Sequence, residues 1–145
     1  MITHHRSIAA ACMAASVLVS AGFAPFRADQ ASPRTAADVP RVTTRDFMRM
    51  HEAGGALVVD VRSAEVFRLG RIAGAINVPL DQITQRAVEI RERAGNRVIV
   101  TYCSCSAEQS SAEAGLRLMT AGAGNVRALV GGYPEWVLAG GKVER

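Results

Sequence analysis

Three short apolar runs, each followed by a segment with helical spacing, constrain the fold of this 145-residue chain. The runs cover residues 56–61, 97–102 and 126–130, and a shorter one covers 75–78. Continuous runs of this kind are typical of strands buried on both faces. Because strands that alternate with helices form parallel sheets, we expect an α/β fold with a central, mostly parallel sheet of about five strands, flanked by helices on both faces.

The helices are predicted from their caps and their apolar spacing. Thr43 and Asp46 resemble a capping box, and Gly54 follows the helix that they begin. Further helices are predicted over 63–69 and 80–94, from Ser111 onward, and from Pro134 to the glycine pair at 140–141. On the first helix we expect His51 to face solvent, and on the last we expect Trp136 to belong to the core.

Cys103 lies where a predicted strand meets a predicted helix. The run 97–102 ends at Cys103, and a loop of small residues leads to Ser111. A lone cysteine at a strand end is most often an inert core residue. At the start of a helix, however, backbone N–H groups and the helix dipole favour anions and lower the pKa of a thiol. Ligands also bind at the carboxyl ends of parallel strands, so we predict that Cys103 is a catalytic nucleophile.

Two other segments end at the same predicted rim of the sheet. Asp60 and Arg62 follow the first central strand, and we expect them to support the rim, with an ion pair or a capping interaction favoured over contact with substrate. Gly131 and Gly132 follow the run 126–130, where glycine lets the chain pass close beneath the cysteine loop.

The N-terminal 24 residues differ in kind from the rest of the chain. Arg6 precedes an uncharged stretch over 7–26, which is the pattern of a secretory signal peptide. We expect a signal peptide over 1–24, cut near Ala21 or Ala24, a flexible leader over 25–39, a domain over 40–145, and a periplasmic or secreted protein. The alternative is an uncleaved membrane anchor, since the stretch is close to the roughly 20 residues that span a bilayer.

Charge and cysteine content narrow the possible partners. The net charge of +4 is small and scattered, so we expect no nucleic-acid partner. Removing the signal peptide also removes Cys12 and leaves Cys103 and Cys105 as the only thiols. In an oxidising compartment such a pair could close on itself or shuttle between thiol and disulfide. A structural zinc site needs four ligands, so we expect no metal and no cofactor.

Four ordered segments resemble the rhodanese domain, and the resemblance covers residues 40–144. They are Leu57-Val58-Val59-Asp60-Val61-Arg62, residues 70–79, Tyr102-Cys103 with Ser111-Ala112, and Leu129-Val130-Gly131-Gly132-Tyr133-Pro134-Glu135-Trp136. The resemblance implies a sulfurtransferase in which Cys103 takes a sulfane sulfur from a donor, holds it as a persulfide and passes it to a thiophilic acceptor. The donor would be thiosulfate, polysulfide or a protein persulfide, and the acceptor cyanide or a protein thiol. A membrane is a partner only if the signal peptide is not cleaved.

The N–H groups of the cysteine loop would hold the anionic donor and the persulfide. That loop comprises Ser104, Cys105, Ser106, Ala107, Glu108, Gln109 and Ser110. It differs from the family pattern, because no Arg or Lys follows Cys103, Glu108 adds a negative charge, and the segment up to Ser111 is longer than the usual six residues. We therefore expect thiosulfate to be a poor donor. Arg71, where the family usually has histidine, is expected at the surface.

The role of Cys105 and the class of function stay open at this point. Cys105 could be a resolving thiol, a second sulfur acceptor or a small residue without chemistry, and we expect it to reach Cys103 only with strain in the loop. A binding or redox-responsive persulfide carrier is the alternative function. A phosphatase or arsenate reductase of the same fold is disfavoured, because the loop lacks the arginine that would bind a tetrahedral oxyanion.

Overall fold

The computed structural model describes residues 35–105 and 107–145. The strands in chain order are β1 Arg41–Val42, β2 Ala56–Asp60, β3 Arg71–Ile72, β4 Ile76–Asn77, β5 Val98–Tyr102, β6 Val126–Leu129 and β7 Val143–Glu144. The α-helices are α1 Thr44–Glu52, α2 Ala64–Leu69, α3 Ile83–Ala94, α4 Gln109–Thr120 and α5 Gly132–Leu138. The signal peptide predicted over 1–24, with its cleavage points, lies outside the described residues.

The main sheet is parallel, as predicted. Its five strands follow the order β1-β6-β5-β2-β4, and each neighbouring pair is parallel. Strands β2 and β5 are in register from Ala56 opposite Val98 to Asp60 opposite Tyr102. Because the two central strands end together, the residues that follow them emerge side by side at one edge of the sheet.

Both faces of the sheet are covered by helices. On β2, Leu57 and Val59 pack with Ile83 and Ile90 of α3, whereas Val58, which points to the other face, packs with a cluster that contains Phe47 and Trp136. Successive side chains of a strand point to opposite faces, so burial of all of them explains the unbroken apolar runs.

Local sequence signals account for most helix boundaries. The hydroxyl of Thr43 accepts the Asp46 N–H at the start of α1, and that of Ser63 accepts the Val66 N–H at the start of α2. The helix predicted over 80–94 is a 3₁₀ turn, Leu80–Gln82, followed by α3. Helix α5 begins at Gly132, so Pro134 stands at its third residue instead of its first.

The structure corrects the length of the cysteine loop. Helix α4 begins at Gln109, two residues before the predicted Ser111, because Glu108 takes a left-handed conformation with φ of 48° and acts as its N-cap. Six residues, 103–108, therefore connect β5 to α4. The loop is not longer than the usual six residues.

Three short strands were not predicted from the sequence. Strand β1 joins the edge of the main sheet, and β3 pairs with β7 in a separate antiparallel sheet. Each of these strands has only two residues, so no alternating pattern can reveal them. His51 is half-buried instead of facing solvent freely, because its Nε2 lies 2.7 Å from the Ala73 carbonyl oxygen and its ring packs edge-on against Trp136.

The folded domain begins before the predicted boundary at Pro40. Ala36–Asp38 form a 3₁₀ turn that Thr35 and Asp38 cap reciprocally, and Val39 is 2% exposed against Ala112 and Ala128. Residues 35–39 are therefore part of the domain, although we predicted them as the end of a flexible leader. Within the described part of the chain, no helix is both long and apolar enough to cross a membrane.

Candidate active site

Cys103 follows the last residue of β5 and is 3% exposed. Its carbonyl oxygen accepts the Tyr133 N–H at 2.8 Å. Gly132 lies directly beneath it, with φ of +54°, and a Cβ atom at position 132 would overlap the Cys103 carbonyl oxygen. The glycine is required both for its positive φ and for this close approach, as the sequence analysis expected.

Cys103 and Cys105 form a disulfide. Their Cα atoms are 5.7 Å apart, which lies within the ordinary range for disulfides. The two cysteines therefore reach each other within the loop, and strain in the loop stays a prediction. In this state Cys103 has no free thiol, so the structure represents the oxidised form of the site.

Ser111 is a site residue that the sequence analysis missed. It is fully buried, and its Oγ lies 3.7 Å from the Cys103 Sγ while donating to the Glu108 carbonyl oxygen at 3.0 Å. Its own carbonyl oxygen accepts the Thr101 hydroxyl at 2.8 Å, which ties α4 to β5. We assigned Ser111 only to the start of a helix. The signal that pointed to a position near Cys103 was the resemblance, which places Ser111 and Cys103 in the same segment.

Glu108 lies at the junction of α4 and the glycine turn. It is half-buried, and its carboxylate accepts the Gly131 N–H at 2.7 Å. The carboxylate does not extend freely into solvent, because this hydrogen bond holds it across the rim. A negative charge therefore stands beside the first turn of α4 and binds one of the N–H groups that an anionic substrate could use.

The remaining residues of the predicted substrate-binding loop do not all lie in the loop itself. Ser104 and Ala107 are exposed, whereas Gln109 and Ser110 are the first two residues of α4. Ser106, also predicted to bind substrate, lies outside the described residues.

Asp60 and Arg62 form a buried ion pair, the interpretation that the sequence favoured. The Asp60 side chain is 0% exposed and that of Arg62 is 7% exposed, and the Arg62 Nη2 lies 2.5 Å from the Asp60 Oδ2. The Arg62 Nε donates to both Asp60 oxygens at 2.9 and 3.0 Å. Burial by itself lowers the pKa of Arg62, but the hydrogen bond and the negative charge of Asp60 outweigh it and leave this pKa raised.

Tyr102, the last residue of β5, completes the network. Its hydroxyl donates to the Asp60 Oδ2 at 2.5 Å and accepts the Ile72 N–H at 3.1 Å. Burial, the hydrogen bond to Asp60 and the Asp60 charge raise the pKa of Tyr102 far above its usual value. Tyr102 therefore stays protonated and cannot serve as a base near neutral pH.

Arg62 also brings a cation to the cysteine loop. Its Nη1 donates to the Ser104 Oγ at 3.4 Å, and its guanidinium lies 4.3 Å from the centre of the Tyr133 ring. The loop itself has no basic residue, so a neighbouring strand end supplies one. The sequence predicted that Arg62 lies on the rim but not that it contacts the loop.

The arrangement supports thiol chemistry once the disulfide is reduced. Cys103 would then lie beside the Ser111 hydroxyl and near the start of α4, a 12-residue helix whose first N–H groups have no partner within the helix. Among the residues that the structure describes, no three His, Cys, Asp or Glu side chains come together as a metal site.

Comparisons with known proteins agree with this geometry. The family described as "Rhodanese-like domain" matches residues 43–139. The chain is 36% identical over 99 residues to an HTH-type transcriptional regulator of Mycobacterium tuberculosis, and 36% identical over 89 residues to an uncharacterized protein of Bacillus subtilis. These matches cover 68% and 61% of this chain, but only 42% and 64% of the relatives' lengths.

Solved structures share the fold. The rhodanese-like domain of an Anabaena protein superposes with a TM-score of 0.64 at 27% identity, over 72% of this chain and 78% of that one. A thiosulfate sulfurtransferase from Pseudomonas aeruginosa gives a TM-score of 0.65 at 24% identity, over 74% of this chain and 20% of that one. The second likeness concerns the fold alone.

Proposed function

The chain belongs to the family of rhodanese-like domains, and on that premise we propose that it is a sulfurtransferase that carries a sulfane sulfur on Cys103. The observation that supports the proposal best is the position of Cys103. It lies at the carboxyl end of a central parallel strand, above the Gly132 turn and beside the start of α4. Ligands bind at this edge in open α/β sheets.

The proposed cycle begins with the reduced protein. The Cys103 thiolate attacks the sulfane sulfur of the donor, a bond to sulfur forms, and the remainder of the donor leaves with the electron pair of the broken bond. With thiosulfate the leaving group is sulfite. A thiophilic acceptor then attacks the outer sulfur of the persulfide, and the Cys103 thiolate is regenerated.

The surrounding residues have separate roles in this proposal. N–H groups at the start of α4 stabilise the thiolate and the persulfide, which are both anions. The Ser111 hydroxyl, 3.7 Å from Sγ, positions the sulfur. The Arg62 guanidinium, which reaches the loop at Ser104, offsets part of the negative charge of a donor. Tyr102 and Asp60 hold Arg62 in place and do not transfer protons.

We further propose that the donor carries little negative charge or belongs to a partner protein. Thiosulfate has two negative charges, and the Glu108 carboxylate occupies the Gly131 N–H on the rim that such a donor would approach. Repulsion in a partly desolvated site costs on the order of 1 kcal/mol. A protein persulfide, or an organic polysulfide without charge on its sulfur chain, therefore suits the site better than thiosulfate.

A cyanide assay on the reduced protein tests the proposed activity. After reduction and removal of the reductant, the Cys105→Ser protein, which cannot close the disulfide, should form thiocyanate from an organic polysulfide and cyanide. The double variant Cys103→Ser/Cys105→Ser is the matched control and should show only the background rate. Substantial turnover by the double variant would refute the assignment.

The disulfide favours one alternative, a redox-responsive module without turnover. Such a protein would respond to oxidants by joining Cys103 to Cys105 and would receive sulfur only from a partner protein. Stoichiometric loading from a protein persulfide, without turnover of any small donor, would support this alternative over the enzyme.

We also propose that the protein is exported and cleaved near Ala21 or Ala24, on the sequence pattern described above. N-terminal sequencing of protein recovered from the cell envelope should begin between Gly22 and Asp29. An intact Met1 on an envelope protein would instead support the retained anchor.

A further inference from the structure

The two cysteines of the loop are placed to react with each other. Of the residues that the structure describes, only Cys103 and Cys105 carry a thiol, and their sulfur atoms are bonded. In this disulfide form Cys103 is 3% exposed and Cys105 is half-buried. The Cα separation of 5.7 Å lies within the range that disulfides ordinarily span.

We propose that Cys105 resolves the Cys103 persulfide, so that the protein releases the sulfane sulfur as sulfide and forms the observed disulfide. This inference rests on the proposed function, because it starts from a persulfide on Cys103. It changes the fate of the sulfur. Cyanide or an external thiol takes the outer sulfur, whereas Cys105 attacks the inner one.

The reaction balances without a further reactant. The Cys105 sulfur forms a bond with the Cys103 Sγ, the bond between Sγ and the outer sulfur breaks, and the outer sulfur leaves as hydrosulfide with the proton of the Cys105 thiol. Counted from the two thiols and a zero-valent sulfane sulfur, the outer sulfur gains two electrons and each cysteine sulfur loses one. A dithiol reductant must then open the disulfide before the next cycle.

Geometry favours attack on the inner sulfur. In the structure the Cys105 sulfur contacts the Cys103 Sγ itself, the atom at which this displacement occurs. The two residues are separated by one position in the same loop, so the attack is unimolecular and gains from proximity over any dissolved acceptor. The site would then act as a dithiol-dependent reductase of sulfane sulfur.

A single-turnover experiment with thiosulfate labelled in its sulfane sulfur tests the inference. The full chain is reduced, freed of reductant and incubated with the labelled probe in excess. Wild-type protein should release one labelled sulfide per molecule and lose two hydrogens in mass as the disulfide forms. Cys105→Ser should retain the label as one extra sulfur on Cys103, and Cys103→Ser should neither bind nor release it.

The outcomes separate this inference from the proposed function. If wild-type protein keeps the label as a persulfide to the same extent as Cys105→Ser, or if the label moves to Cys105, the inference is wrong and the sulfurtransferase proposal stands. If Cys105→Ser acquires no sulfur on Cys103 from thiosulfate at any concentration and none from an organic polysulfide or a protein persulfide, the proposed function fails and the inference fails with it.

Discussion

At the end of β2 a charged pair is buried in a network of side-chain hydrogen bonds, whereas the loop at the end of β5 carries the reactive atoms and is held mostly through its backbone. Asp60 is bound by Arg62 and Tyr102, and Arg62 also donates to the Gly70 carbonyl oxygen at 2.7 Å. Within the described residues of the loop 103–108, carbonyl oxygens of Cys103, Cys105 and Glu108 accept hydrogen bonds, and the disulfide, the Arg62 contact at Ser104 and the Glu108 bond to Gly131 add to them. The end of β2 therefore supports the site, and the loop after β5 carries its chemistry.

The network at the end of β2 acts as a rigid support for a loop in which the chemical state of Cys103 changes. We expect the hydrogen bonds among Asp60, Arg62 and Tyr102 to persist whether Cys103 is a thiol, a persulfide or a disulfide, because none of them involves a sulfur atom. The loop at the end of β5 must accommodate all three states. Substitutions at the β2 end should therefore act mainly on stability, and those at the loop mainly on chemistry.

The largest expected effect on stability comes from Asp60→Ala. The substitution leaves Arg62 buried without its partner, which should lower the free energy of unfolding by about 3–5 kcal/mol. Urea unfolding measures this change. Glu65→Ala is the matched control, because it removes an exposed pair with Arg68 and should leave the unfolding midpoint within error. An unchanged midpoint for Asp60→Ala would show that the β2 end is not a rigid support.

Gly132→Ala tests the contact between Cys103, at the end of β5, and the glycine turn that follows β6. A Cβ atom there meets the Cys103 carbonyl oxygen, and φ of +54° disfavours alanine, so unfolding should become easier by about 2–4 kcal/mol. Gly140→Ala is the control, since it has a φ of +77° with no neighbour near the added atom and should cost about 1–2 kcal/mol. Equal losses in the two variants would refute the close approach beneath Cys103.

Alkaline pH should lower the stability of the protein by weakening the hydrogen-bond network of Asp60, Arg62 and Tyr102. Because the pKa of Tyr102 is raised in the folded protein, its stabilising effect is complete below the usual tyrosine pKa of about 10 and is lost as pH rises above it. With the disulfide intact, stability should fall by up to about 1.4 kcal/mol per pH unit above that point. Tyr102→Phe should flatten this slope, whereas Tyr133→Phe should keep it. The same slope in all three proteins would contradict the network.

The smallest expected effect concerns donor choice at the loop. Glu108→Gln keeps an oxygen for the Gly131 N–H but removes the charge, so kcat/KM for thiosulfate should rise about fivefold at low salt, equivalent to about 1 kcal/mol. Glu108→Arg should raise it further. The rise should shrink at high ionic strength, where charges are screened. No change at low salt would mean that the Glu108 charge does not govern donor specificity.

The sequence predicted the architecture of this domain well because its strands are buried on both faces. Runs such as 56–61 leave few alternatives to a parallel sheet, and Cys103, Asp60 and Gly132 follow from the rule that strand ends form the site. The predictions failed where contacts come from distant residues or from backbone geometry. His51 is half-buried by its contacts with Ala73 and Trp136, and the length of the loop depends on the positive φ of Glu108.

The functional details were harder to predict for the same reason. That Arg62 reaches Ser104, and that Ser111 lies beside the Cys103 sulfur, depends on the three-dimensional placement of three separate segments. No spacing along the chain encodes either contact. The disulfide was only one of several possibilities for Cys105 until the structure placed the two sulfur atoms together.

The central claim is that Cys103 is the residue that carries the sulfur. The most direct test is mass spectrometry of peptides from reduced Cys105→Ser protein, incubated with polysulfide and digested under conditions that preserve persulfides. The account predicts a gain of one sulfur atom, located on Cys103. An unmodified Cys103 peptide, or added sulfur confined to other residues, would contradict it.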